Sequence, residues 1–159
     1  MQSGDQIITN IRKIIRSLDL ESKRIEKNYG MSIPQMILLT QLKNTPNFTA
    51  SHKDLSKQLH LNTSTVTGII DRLEKKGLVA RTPKPDDKRG ILVVLTKAGK
   101  QSIDRTPGLM QEKLLTKLQQ APKEDVRKIE EGLELLIKYL EIVDPEASSL
   151  LSTQISLSD

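Results

Sequence analysis

Cysteine is missing from the 159 residues, and with it any disulfide framework, thiolate metal site or thiol-based redox switch. A cytoplasmic protein is the expectation that follows. Aromatic residues are scarce: Tyr29, Phe48 and Tyr139 complete the set, so a single-stranded nucleic-acid binder, which needs stacking platforms, is poorly supported. The core falls to Ile, Leu and Val. No apolar run approaches the roughly 18 residues of a membrane span, and MQSGDQIITN at the N-terminus lacks the basic-then-apolar pattern of a secretory signal. No membrane partner is expected. His52 and His60 sit in no spaced cluster of ligands, so no metal site is expected. A Gly-rich phosphate loop, a nucleophile elbow and an H-E-x-x-H run are also missing. The chain reads as a non-enzyme without a cofactor.

What is present is a localised positive charge. Residues 50 to 100 hold 11 Lys or Arg against 5 Asp or Glu, whereas the rest of the chain holds 14 against 15. Almost all of the net +5 therefore belongs to the middle third. A basic region of this kind suits a polyanion, because neutralising phosphates releases condensed counterions. A solvated basic face accounts for the charge equally well.

Periodicity gives the organisation. Ile8, Ile11, Ile15, Leu18, Ser22 and Ile25 step by 3 and 4, and Ile7 and Ile14 widen the stripe, which predicts an amphipathic first helix ending at Gly30. Ser32 and Gln35 form a capping box for a second helix, IPQMILLTQLK. Ser51 and Asp54 cap a short helix over 52–59, His60 and Leu61 turn, and Asn62 caps a further helix through Lys76 that Gly77 stops. Two short helices across so brief a turn make a helix-turn-helix. LVAR and ILVVL then flank a tip rich in Pro and charge, which predicts a β-hairpin. Thr96 caps a long helix that Pro107 and Gly108 must kink or break, and Pro122 opens a last helix. Its Val126, Ile129, Leu133, Leu136, Leu140 and Val143 repeat the 3 and 4 spacing. Such stripes pack either on the chain's own core or against a second copy. The Ser-rich segment 144–159 reads as a mobile tail.

A helix-turn-helix followed by a hairpin is the order of a winged helix, whose second short helix enters the major groove of DNA while the hairpin reaches toward the flanking backbone or minor groove. Thr63, Ser64, Thr65 and Thr67 place short hydroxyls at the start of that helix, suited to phosphates or base edges. Helix capping alone explains such a run as well.

VTGIIDRLEKKGLVART, DDKRG and LTKAG, in this order and spacing, resemble the MarR family of winged helix-turn-helix regulators. Asp87-Lys88-Arg89 followed by Leu95-Thr96 is the most specific part of the match; the terminal helices match in pattern. The resemblance implies a fold that is mainly α with a small β-hairpin wing: a winged helix-turn-helix lobe over about 33–100, dimerisation helices over about 5–29 and 101–143, and one domain overall. It implies a homodimeric repressor of transcription on a pseudo-palindromic double-stranded operator, with half-sites about 34–36 Å apart, released by a small-molecule effector. Ile8, Ile11, Ile15, Leu18, Ile129, Leu133, Leu136 and Leu140 would join the copies. Ser51, Lys53, Thr63, Ser64, Thr65, Thr67, Arg72, Lys84, Lys88 and Arg89 would meet DNA, with Arg89 in the minor groove. Asp87 would brace the wing by pairing with Arg72, which fixes a planar cationic fork before binding; Asp86 reads as a polar turn residue. With few aromatics, the effector pocket is expected to be mainly aliphatic, its lining unassigned.

Two positions depart from the family pattern. Gly68 stands where the family often has Arg or another long polar residue on the DNA-facing side, so base reading through that position is expected to be lost; a mid-helix glycine also costs about 1 kcal/mol relative to alanine, which close approach to DNA or to a packed neighbour would account for. His60 stands where the family turn often has glycine, and histidine tolerates the left-handed region better than most residues. A winged-helix module that binds protein instead of DNA is the competing reading, and salt dependence of duplex binding separates the two.

Overall fold

The computed structural model describes residues 3–143, so the segment read as a tail lies outside the described residues. The elements run α1 (Ser3–Tyr29), α2 (Ile33–Lys43), β1 (Thr49–Ser51), α3 (His52–Leu59), α4 (Thr63–Lys75), β2 (Val79–Pro83), β3 (Ile91–Leu95), α5 (Lys97–Asp104), α6 (Met110–Gln120) and α7 (Lys123–Tyr139). The architecture is the expected one, mainly helical with a small antiparallel sheet. The chain divides into two compact units at Pro107 and Gly108, where the sequence predicts the helix to break. α5 therefore lies wholly in the first unit, whereas the sequence reading began the dimerisation helices at residue 101.

In the first unit, α2 buries one broad face through Gln35, Met36, Leu38, Leu39 and Leu42. Its capping box forms as expected: Gln35 N–H donates to Ser32 Oγ, and Ser32 N–H to Gln35 Oε1. Around α2 pack Leu55 of α3, Val66, Ile69, Ile70 and Leu73 of α4, and Val79, Val93 and Leu95 of the sheet, all buried. Each such side chain removed from water contributes roughly 1.5–3 kcal/mol. Ser51 caps α3 by accepting Asp54 N–H at 3.1 Å, and Asn62 caps α4 by accepting Thr65 N–H at 2.7 Å. Between them His60 adopts φ 51° and ψ 41°, the left-handed conformation that lets the turn close in so few residues. Gly30 and Gly77, at φ 64° and 71°, end α1 and α4 in the same region.

The sheet has the order β1-β3-β2. β2 and β3 form the predicted hairpin, from Val79 opposite Leu95 to Pro83 opposite Ile91. β1, pairing Thr49–Ser51 with Val94–Leu92, is a strand that the sequence reading did not include. Pro83, without an N–H, is tolerated because β2 is an edge strand. Lys43 Nζ on α2 lies 2.5 Å from Asp104 Oδ1 at the end of α5, and this ammonium, with Lys100 behind it, holds the Asp104 carboxyl below the usual carboxylate range.

α1 is covered only toward its C-terminal end, where Glu21 and Ile25 are buried; Ile7, Ile8, Ile14, Ile15 and Leu18 stand 45–60% exposed. In the second unit, Ile129, Leu133, Leu135, Ile137 and Leu140 are about half exposed as well, while Val126 and Leu136 are partly covered. No helix among the described residues is long and apolar enough to cross a membrane.

Candidate nucleic-acid interface

The four buried residues of α4 define its inward face, so at 100° per residue the outward face carries Ser64, Gly68, Asp71 and Lys75, with Thr65 and Arg72 beside them. Thr63, Ser64 and Thr65 are exposed in the first turn. Ser64 Oγ donates to Asn62 Oδ1 at 2.8 Å and keeps its lone pairs for a donor outside the chain. Thr67 differs from the other three. Its hydroxyl donates to the Thr63 carbonyl at 2.8 Å, and His52 Nε2 lies 2.8 Å from the same oxygen. With the single hydroxyl proton already used, the ring nitrogen is the donor, so His52 ties the start of α3 to α4 and Thr67 serves mainly that joint. Ser51 is likewise engaged at the head of α3, donating to Asp54 Oδ2 at 2.6 Å. Among the described residues no cluster of three or more His, Asp or Glu side chains is placed to hold a metal ion.

The wing tip closes through Lys84 N–H to the Gly90 carbonyl at 2.8 Å and Gly90 N–H to the Asp87 carbonyl at 2.9 Å. The Lys84 stem crosses Gly90 so closely that a Cβ there would lie 2.6 Å from Lys84 Cδ. Lys88 and Arg89 are exposed at the tip. Asp87 does brace something, but not the expected partner: its Oδ1 accepts the Arg89 N–H at 2.9 Å, and among the described residues it forms no ion pair with Arg72. The carboxylate thus fixes the backbone that presents Arg89. A short polar side chain two residues before an N–H closes such a local ring, and the carboxylate is turned onto its own wing.

The tie between the wing and α4 belongs to Arg81, a residue that the sequence pattern does not single out. Rising from β2, its guanidinium pairs with Asp71 at 2.5 Å and with Glu74, both on α4. The hydrogen bond to Asp71 leads the causes that push its pKa further up. Asp71 and Glu74 are three apart and so share one side of the helix, a spacing that could have pointed to a cation arriving from the next strand. Spending these two carboxylates on Arg81 has an electrostatic consequence. Among the described residues Lys53, Arg72, Lys84, Lys88 and Arg89 have no acidic partner, so the cations expected at DNA are left unneutralised, as are Lys57 and Lys75 beside them.

A cleft of about 480 Å³ also lies in this unit, between the end of α1 and α5, lined by Asn28, Tyr29, Ala98, Gln101, Ser102 and Arg105. Its lining is mainly polar, with Ala98 as the aliphatic member and Arg105 as the cationic one.

A helix-turn-helix whose second helix exposes hydroxyls and an unpaired arginine, locked to a cationic hairpin, defines a winged-helix protein of the DNA-binding class. The MarR family model matches residues 31–91. The HTH-type transcriptional regulator YfiV of Bacillus subtilis is 32% identical over 132 residues, 81% of this chain and 79% of that one. The HTH-type transcriptional repressor MdtR of the same organism is 30% identical over 103 residues, 62% of this chain and 65% of that one. Among solved structures, that of Sco3205 from Streptomyces coelicolor, a MarR family transcriptional regulator in complex with DNA, superposes with a TM-score of 0.66 over 88% of this chain and 93% of that one, at 24% identity. The chain belongs to the MarR family.

Proposed function

We propose that the protein is a homodimeric, sequence-specific transcriptional repressor that binds a pseudo-palindromic operator in double-stranded DNA. One observation carries the reading: the cations on α4 and on the wing are left without acidic partners while Arg81, between them, is neutralised. Phosphate contacts supply affinity and fix register; the hydroxyls of Thr63, Ser64 and Thr65 and the fork of Arg72 read the major groove; Arg89, presented by Asp87, enters the minor groove. The exposed apolar residues of α1 and of α7 support a second copy as their cover, since a monomer rarely leaves so many large aliphatic side chains in water. DNA complexes of relatives such as Staphylococcus aureus MepR support the same assignment.

Arg89→Ala is expected to weaken duplex binding by about 1–3 kcal/mol and to lower the slope of log affinity against log salt by about 1. Fluorescence-anisotropy titrations at several salt concentrations measure both. Unchanged affinity would remove the wing from the interface.

Control by a small molecule is the finer part of the proposal. The cleft beside Tyr29 and Arg105 suits a small carboxylate with an apolar body, the acid on the guanidinium and the body along the phenol ring. Screening simple aliphatic and aromatic carboxylates against the protein–duplex complex is expected to find compounds that release DNA from the native protein and not from Arg105→Ala. Equal release from both would place the effector elsewhere.

A further inference from the structure

Gly68 sits at the centre of the outward face of α4, four residues after Ser64 and four before Arg72, and nothing among the described residues requires a glycine there. Its φ is not positive. A Cβ built on it meets no atom within 4 Å, which removes the packed neighbour that the sequence left open. An alanine would be better for the helix. Gly132, in α7, is unopposed in the same way, and it lies between Ile129 and Leu136 on the face proposed to meet a second copy. Gly68 and Gly132 thus both fall on faces proposed to meet something outside the chain. For Gly68 the proposed partner is the operator.

We propose that Gly68 is a specificity-determining residue whose missing side chain forms a notch on α4 that admits the C5-methyl group of one thymine in each half-site. The proposal rests on the DNA-binding reading above. A glycine in mid-helix offers no polar group of its own, because its N–H and C=O belong to the helical ladder. It can discriminate only by shape. On the major-groove edges of the base pairs the one protruding apolar group is the thymine methyl. The notch is bordered by Thr65, which can add a methyl contact, and by Arg72, whose fork reaches the neighbouring pair.

The test uses the full chain. A preferred duplex is selected from a random pool, and Gly68→Ala and the native protein are titrated against it and against duplexes in which each thymine in turn is replaced by deoxyuridine. That replacement deletes the methyl and leaves the pairing edge intact. Gly68→Ala is expected to melt about 2–4 °C higher than the native protein and yet to bind the selected duplex roughly tenfold more weakly. Deoxyuridine at one position per half-site should weaken the native protein and restore most of the variant's loss. Equal or tighter binding by Gly68→Ala overturns the proposal, as does a loss that no deoxyuridine relieves. A variant less stable than the native protein overturns its premise. A native protein that selects no duplex at all overturns the DNA-binding reading instead, and this inference with it.

Discussion

Gly99→Ala is expected to destabilise the protein by about 2 kcal/mol, the reverse in sign of the same change at Gly68. A Cβ on Gly99 would lie 2.0 Å from the Leu78 carbonyl oxygen, 2.7 Å from Leu95 Cδ1 and 2.9 Å from the Leu78 carbonyl carbon. The obstacle is backbone, and it is pinned. Leu78 O accepts the Thr96 N–H at 3.2 Å, while the Thr96 hydroxyl donates to the Gly77 carbonyl at 2.7 Å and accepts the Gly99 N–H at 3.0 Å. Moving Leu78 away breaks the joint between the end of α4, the start of the wing and the cap of α5. Overpacking a tight site costs typically 1–3 kcal/mol and more where backbone must shift; the gain of about 1 kcal/mol from replacing a helical glycine offsets part of it. Thermal unfolding should show a fall of about 4–8 °C. An unchanged melting temperature would contradict the packing described here.

Leu133→Glu is expected to leave a folded chain that no longer dimerises and binds the operator roughly 10²–10⁴ times more weakly. Leu133 is 51% exposed, so a carboxylate there disturbs little of the chain's own packing. Between two copies it would bury a charge on an apolar face, a cost that association cannot recover without a partner for it. Losing the second lobe removes the effective-concentration gain that two linked half-sites provide. Sedimentation equilibrium measures the mass and circular dichroism the fold. A dimer of native operator affinity would exclude this face of α7 as the interface.

The contrast between Gly68 and Gly99 shows what the sequence could and could not reveal. Helices α1 to α4, the capping box at Ser32, the left-handed turn at His60 and the hairpin were legible because each depends on near neighbours: apolar spacing, a cap, a breaker. β1 was not, since three residues after a proline are too few to show alternation, and its pairing with β3 spans more than forty positions. The cationic and hydroxyl residues proposed to meet DNA could be named from pattern. Their partners could not. Asp71, Glu74 and Asp87 are all carboxylates close to arginines along the chain, and only the path of β2 past α4 decides that Arg81 takes the first two while Asp87 turns back on its own wing. Likewise, both glycines stand in helices; one faces a carbonyl and the other faces open space. His52 belongs to no spaced set of ligands along the chain, and its role, holding Thr67 across the helix-turn-helix, depends on the distance between helices.

The central claim is that the hydroxyl-bearing helix and the cationic wing grip duplex DNA of a particular sequence. Titrating the purified protein against its selected duplex and a scrambled one, at 50 and 200 mM salt, tests it most directly. Two chains are expected per selected duplex, with a preference of about 10³ or more over the scrambled sequence. Affinity is expected to fall by roughly 10³–10⁵ between the two salt concentrations if 6–10 phosphates are contacted. Equal binding to both duplexes, or an affinity indifferent to salt, would contradict it.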